Sequence, residues 1–412
     1  MSALDLTIFD PMLKDHYSDK EVPKLAFQKN TALGLINKSN KKMVGGRKWV
    51  QPFGYALPGG GSSTFATALA AAGNTSLYEA WEVTRTKHYR LGKVDNETIE
   101  ATATGDMDAF EPAFDEFDRV IKAEGNYINF RFFRSKSGSA GRLNNAGVAT
   151  AVGILVDASD VWGWRKDEVA KLSAQSDGTA LKAGTLTVLS VQRQAGTLTF
   201  TGNISAGVGT AAITDYLYLD GDATLASAGL ADWIPDTAPT NTPFYGVDRT
   251  IEPDFLGGIR IDGTTGASIA NLLVDAVAAV QNLGGDPDIA FMNPLTFGTL
   301  SKQLEGKWAI SSAAGFDGRK VAGIGFNGFK VNLNGTDLTL YTDRCCPQKR
   351  IYVLTWSTWT MFSAGPAPNF LQRRAGSIIK VSETSDGYEA RVGEYYNFCC
   401  DSPGHNAVIL LA

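Results

Sequence analysis

The spacing of apolar residues changes character several times along the chain. Residues 1–45 are polar and irregular, with no periodic apolar face. Arg47–Leu57 (RKWVQPFGYAL) leads into a loose Gly/Ser/Ala segment from Pro58 to Ala72. Glu79–Ala101 follows, in which Trp81, Val83, Tyr89 and Leu91 are set among polar neighbours. Alternation with so few apolar positions predicts a long two-stranded excursion with both faces largely wet. An isolated hairpin is marginal in water, so this one needs a neighbour. The period then becomes helical. Phe110, Phe114, Phe117, Ile121, Ile128 and Phe132 fall on one stripe and predict a long helix over 108–134. Asp106, Asp108, Glu111, Asp115, Glu116 and Asp118 crowd its start, while Arg131, Arg134 and Lys136 close it, charges that complement the helix dipole.

Between about 153 and 222 the pattern is one of short β-rich runs: Val152–Val156, Thr185–Val191, Gly196–Gly202 and Ala212–Asp220, separated by glycine turns. The string GTLT occurs at 184–187 and again at 196–199, which fits the two arms of a hairpin around Gln192–Ala195. A small β-barrel or sandwich inserted in the main fold is expected. Leu230–Phe244 is proline-rich and reads as a linker back to the body. Ile269, Leu272, Leu273, Val277, Val280 and Leu283 form a second helical stripe, stopped by Gly284-Gly285. Ile289–Met292 reads as a buried strand, and Asn293-Pro294 as the start of a helix to about Glu305. The remainder is mainly β: Phe329–Leu333, Leu338–Tyr341, Ile351–Leu354, Thr358–Phe362, Ile378–Val381, Glu389–Phe398 and Ala407–Leu411. The fold class is α+β.

Composition narrows the function. Charged residues are 20% of the 412 residues and glycines number 44, so turns and strands should outweigh charged helices. A net charge of −5 argues against a general nucleic-acid or membrane-surface binder. It conceals a local feature: from Val22 to Val50 the chain carries Lys24, Lys29, Lys38, Lys41, Lys42, Arg47 and Lys48 and no acidic residue. With no core of its own, such a run implies a partner surface. No stretch is long and apolar enough to predict a membrane span, and the N-terminus lacks the pattern of a secretory signal, so synthesis in the cytosol is expected.

The chemistry is sparse. His16, His88 and His405 lie far apart in sequence, a poor start for a histidine-based metal or catalytic centre. Cys345-Cys346 and Cys399-Cys400 are adjacent pairs that match no metal or redox spacing and read as buried reduced thiols in strands. Gly323–Gly328 is a literal GxGxxG, but Phe329–Leu333 after it alternates as a strand, where a dinucleotide site needs a helix. The pairs Asp106/Asp108, Asp220/Asp222 and Asp286/Asp288 lack the further ligands of a calcium loop. No nucleophile elbow or zinc-protease motif is present. No enzyme activity and no cofactor are expected.

A self-insufficient arm, a wet hairpin, a long helix and two further lobes follow one another in a recognisable order. It resembles that of the major capsid proteins of tailed bacteriophages, with the Hong Kong 97-like fold. The strings that carry the likeness are Trp81-Glu-Val-Thr-Arg85 with Tyr89, Gly229–Pro235 (GLADWIP), Phe244–Arg249 (FYGVDR), Gly284–Asp288 (GGDPD) with Asn293-Pro294, and Asp386–Arg391 (DGYEAR). The resemblance implies an N-terminal arm at 1–45, an extended β-hairpin loop at 46–103, and the spine helix and peripheral domain at 104–152. It further implies an inserted β-domain at 153–222, a return to the peripheral domain at 223–260, an axial domain at 261–375, and C-terminal peripheral strands at 376–412.

The implied function is self-assembly into hexamers and pentamers of an icosahedral head around double-stranded DNA, bound without sequence specificity. Assembly would take place in the host cytoplasm, with no membrane, and the product would be the virion capsid. The implied partners are a separate scaffolding protein, a portal and a decoration protein; a fused scaffolding segment is not expected. Opposite, one-signed charge further predicts that the basic stretch lies against the acidic helix start of an adjacent subunit. The candidate interface residues are thus Lys38, Lys41, Lys42, Arg47 and Lys48, with Trp81, Arg85 and Lys87 on the loop and Glu111, Asp115 and Asp118 on the helix. Two other readings stay open: a cargo-enclosing nanocompartment shell of the same fold, and a soluble carbohydrate-binding or enzymatic β-rich protein.

Overall fold

The computed structural model describes residues 30–39, 46–57, 59, 61–71, 76–95, 111–304, 329–333, 335–371, 379–381 and 386–412. Most of the arm, with Lys41 and Lys42, and the Gly323–Gly328 motif lie outside these residues.

The chain enters through a short helix, α1 (Thr31–Leu35), and a three-residue strand, β1 (Asn37–Ser39). Next come β2 (Lys48–Ala56), the six-residue helix α2 (Phe65–Ala70), β3 (Leu77–Thr84) and β4 (Thr86–Asp95). The hairpin pairs β2 with β3, Trp49 opposite Val83 and Gln51 opposite Trp81. The run after Glu79 is therefore not two arms of one excursion. Beyond Arg85 the chain leaves the hairpin, and β4 pairs instead with a strand near the C-terminus, from Thr86 opposite Tyr396 to Asp95 opposite Gly387.

The predicted long helix is α3 (Glu111–Phe132). Phe117, Ile121, Ile128 and Phe132 are all buried, as the stripe requires. Phe132 is the hub, meeting Phe133, Phe291, Trp356, Trp359 and Phe398 edge to face at 5.0–6.5 Å. The last turn tightens, with Phe133 and Arg134 donating to carbonyls three residues back. Gly229 then packs against the helix end, where a Cβ would lie 2.3–2.5 Å from the carbonyl oxygens of Phe132, Arg131 and Arg134. Only glycine allows that approach. The terminal arginines do more than complement the dipole. Arg131 is fully buried and bonds Asp222 at 2.8 Å, while Arg134 bonds Asp160, Ser159 and the Cys345 carbonyl.

Six strands follow in the order β5-β10-β7-β8-β9-β6: β5 (Ser139–Arg142), β6 (Val152–Ile154), β7 (Val169–Ser173), β8 (Leu186–Gln192), β9 (Thr197–Phe200) and β10 (Tyr216–Leu219). The GTLT repeats belong to the β8–β9 hairpin, closed by Gln192 opposite Thr197. This sheet starts at Ser139, ahead of the expected boundary, and Leu172, Val188 and Leu198 are buried in a core continuous with that of α3.

The second half begins with β11 (Ile259–Gly263), helix α4 (Ile269–Asn282), β12 (Ile289–Met292) and helix α5 (Pro294–Leu304). It continues through β13 (Phe329–Leu333), β14 (Thr336–Thr342), β15 (Arg350–Leu354), β16 (Trp359–Ser363), β17 (Asn369–Phe370), β18 (Ile379–Val381), β19 (Gly387–Cys400) and β20 (Ala407–Leu411). Ser268 caps α4, and Gly284, at φ +83°, turns the chain so that the Gly285 N–H reaches the Val280 carbonyl. The helix lays Leu272, Leu273, Val277 and Val280 into a separate core with a sheet of order β11-β20-β15-β12-β14-β13.

Strand pairing cuts across the boundaries expected from sequence. The last strand, β20, joins the sheet of 259–354, while β16 and β17 join β19, as do β18 and β4; β1 adds to the edge of β16. Among the described residues no helix is long and apolar enough to cross a membrane.

All four cysteines are buried thiols. Cys399 and Cys400 lie in β19 as expected, but Cys345 and Cys346 occupy the turn before β15, where the Cys345 N–H donates to Asp343. Burial pushes the Cys345 thiol up to about 12 and raises Cys400 further, so neither is a thiolate at neutral pH. None of the four should react with a water-soluble disulfide reagent in the native chain, and all four should react in denaturant; the released chromophore reports the count.

Candidate assembly surface and a buried carboxylate–histidine cluster

The hairpin has an anchored base and an uncovered tip. At the base, Trp49 stacks on Phe362 at 5.7 Å, and Trp81 stacks on Phe53 at 4.7 Å while meeting Trp233 and Phe244 edge to face. Trp49, Trp81 and Val83 are wholly buried. The expectation of two wet faces fails here, because residues 230–247 supply the apolar cover. Trp81, predicted as an interface residue, is therefore corrected to a core residue of its own subunit.

Towards the tip the picture reverses. Leu57 is 89% exposed, Phe65 81%, Tyr78 76% and Leu69 62%, and α2 buries no residue. A six-residue helix has too few turns to be stable without packing. Its apolar side chains find no cover within the described part of this chain.

The predicted charged positions are spread along this region. Lys38 lies on β1 beside β16, and Arg47 is exposed in the turn before β2. Lys48 is ion-paired with Glu82 across the hairpin, so its charge is already used inside the subunit. Arg85 stands over the Tyr395 ring at 5.2 Å, and Lys87 is exposed on β4 opposite Tyr395. Asp118 is half-buried on α3, while the side chains of Glu111 and Asp115 fall outside the described residues.

A second constellation was not expected from sequence. Pairing of β4 with β19 sets His88 opposite Glu394, and α3 crosses the same face. Gly92, on the same face of β4, allows the close approach: a Cβ there would meet Val120 at 2.8 Å. One helical turn beyond Val120 is Glu124. Its Oε1 lies 2.5 Å from His88 Nδ1, and its Oε2 accepts from Arg90 Nε at 3.1 Å. The His88 ring stacks on Tyr127 with centroids 3.8 Å apart. Burial works against a charged Glu124, but His88 and Arg90 outweigh it and hold its carboxyl below the usual range. Burial, then the Glu124 charge, drives Glu394 far in the other direction. Both Glu394 oxygens are buried without a hydrogen-bond donor among the described residues.

The architecture of anchored hairpin, long helix, strand β19 and six-stranded sheet is a Hong Kong 97-like fold, shared with a solved phage capsid subunit. Among solved structures the chain is similar to the cyanophage A-1(L) capsid asymmetric unit, at 13% identity and a TM-score of 0.50, over 93% of this chain and 92% of that one. It is also similar to the capsid of a native GTA particle, at 10% identity and TM-score 0.44 over 93% and 91% of the two chains. A third is the holo-SrpI encapsulin complex from Synechococcus elongatus, at 9% identity and TM-score 0.43 over 93% and 88%. No family profile matches the chain. No curated protein matches it either.

Proposed function

We propose that the chain is the major capsid protein of a tailed phage, which assembles into hexamers and pentamers of an icosahedral head enclosing double-stranded DNA. The observation that carries this reading is the hairpin that is anchored by Trp49 and Trp81 yet exposes Leu57, Phe65, Leu69 and Tyr78 at its far end. Large apolar side chains gathered towards one end of a hairpin and left exposed mark an interaction site. Its occupant is a second copy of the chain: every subunit presents the same tip, and a closed shell needs each subunit both to offer and to receive it. The fold shared with the cyanophage capsid subunit supports the same reading.

In the assembled state the basic stretch around Lys38, Lys41, Lys42 and Arg47 lies against the acidic start of a neighbouring α3, at Glu111, Asp115 and Asp118. Arg85 and Lys87 line the same seam. A scaffolding protein, a portal and a decoration protein complete the particle, which forms in the host cytoplasm. The chain acts as a structural subunit with no catalytic residues.

The test is the double substitution Phe65→Ser with Leu69→Ser. Far-ultraviolet circular dichroism should be unchanged, because α2 buries nothing in its own subunit, while shells seen by electron microscopy should disappear. Normal shells from the variant would remove the tip from assembly. Native particles holding protein cargo and no nucleic acid would remove the phage reading.

A further inference from the structure

Apart from the assembly surface, His88, Glu124 and Glu394 form a cluster in which unlike chemistries meet. One ligand atom from each, an imidazole nitrogen and two carboxylate oxygens, lies within 4.8 Å of the others. Each comes from a different element, β4, α3 and β19, and the ladder register that sets His88 against Glu394 fixes two of them on one face.

We propose that His88, Glu124 and Glu394 bind one divalent cation of the zinc type, which clamps β4 to the long helix and to β19. Mixed imidazole and carboxylate donors suit zinc, with a fourth position left for water. Tetrahedral zinc with bonds of about 2.0–2.2 Å places neighbouring ligand atoms roughly 3.4 Å apart. The His88–Glu124 contact would open by just under ~1 Å to admit it. His88 can make that movement and also offers the entry path, since its side chain is 17% exposed while Glu124 is fully buried.

The surroundings favour the ion. Glu394 has two buried oxygens and no donor to satisfy them among the described residues, a costly arrangement that a metal would relieve. Arg90 binds the Glu124 oxygen that faces away from His88, and Tyr127 stacks on the His88 ring. Outer contacts of this sort orient metal ligands. Arg90 is also the nearest repulsive charge, but Glu168 accepts from it at 3.5 Å and pairs with Arg165. Three carboxyl groups, those of Glu124, Glu394 and Glu168, thus stand beside the two guanidinium groups of Arg90 and Arg165. This inference does not depend on the shell reading, since all three ligands belong to one subunit.

The experiment treats the purified full-length chain with a chelator and then titrates it with zinc by calorimetry, with Co2+ as a spectroscopic probe. One ion per subunit, visible Co2+ bands of a low-symmetry site and a rise in melting temperature are expected. Glu394→Gln and His88→Ala should each lower the affinity at least about tenfold and abolish the thermal shift. Glu394→Gln removes an unsatisfied acid without changing shape, so it keeps the chain folded. Uptake of no ion, or equal uptake by the variants, would overturn the site. So would a Glu394→Gln chain that is more stable than wild type when wild type binds no zinc, an outcome that assigns the cluster to two carboxyls sharing a proton.

Discussion

Replacing Trp81 with alanine is expected to cost about 3–5 kcal/mol of subunit stability, the range for removing a large aromatic from a packed core. The ring is wholly buried among Phe53, Trp233 and Phe244, with centroids at 4.7, 5.1 and 6.2 Å. Two of these contacts are edge to face, a geometry that adds about 0.5–1.5 kcal/mol per pair beyond burial. The indole N–H has no acceptor among the described residues, so the cost is one of packing. Trp81 also lies next to Glu82, whose N–H donates to the Tyr245 carbonyl and ties the hairpin base to the 230–247 segment. Chemical denaturation of unassembled subunits measures the effect. Tyr78→Ala, on the same strand but 76% exposed, is the control and should fall within about 0.5 kcal/mol of wild type. A Trp81→Ala cost below about 1 kcal/mol would mean that the hairpin base unfolds separately from the core.

That tryptophan also shows where reading the sequence succeeds and where it stops. Periodicity located α3, α4 and the β8–β9 hairpin, because each follows from contacts within a short stretch of chain. The β4–β19 ladder joins residues some 300 positions apart, from Thr86 with Tyr396 to Asp95 with Gly387, and no local pattern encodes it. Without that partner, the alternation around Trp81 and Tyr89 looked like one hairpin in water. The buried cluster was hidden for the same reason. Its one trace is the break of seven between Ile121 and Ile128 in the stripe of α3, which Glu124 occupies at three residues from one and four from the other. An acid on the apolar face of a helix needs a buried partner. The tip of the hairpin was legible as a region that needs a neighbour, but its apolar character becomes plain only when Phe65, Leu69 and Tyr78 are seen with nothing over them.

The arginines of α3 illustrate a limit of a different kind, and they lead to a second large effect. Near the end of a helix Arg131 reads as a dipole complement, worth about 0.3–1 kcal/mol at a surface. In the fold it is fully buried, donating to Asp222 Oδ2 at 2.8 Å and to the Ser139 carbonyl at 3.0 Å, while the Tyr127 hydroxyl donates to the same Asp222 oxygen at 2.7 Å. Removing one partner of such a pair leaves an uncompensated buried charge, so Asp222→Ala should destabilise the subunit by about 3–5 kcal/mol. Arg131→Met should cost less, because Asp222 keeps the Tyr127 hydroxyl and a side chain that is 13% exposed to water. The double variant Arg131→Met with Asp222→Ala should be more stable than Asp222→Ala alone, since the second change removes the charge that the first one stranded. Denaturation of all four proteins as unassembled subunits closes the cycle. Additive costs would show that water reaches Arg131 when Asp222 is lost; a double variant that recovers stability would show that the junction of α3 with the six-stranded sheet after it depends on neutralising one buried guanidinium.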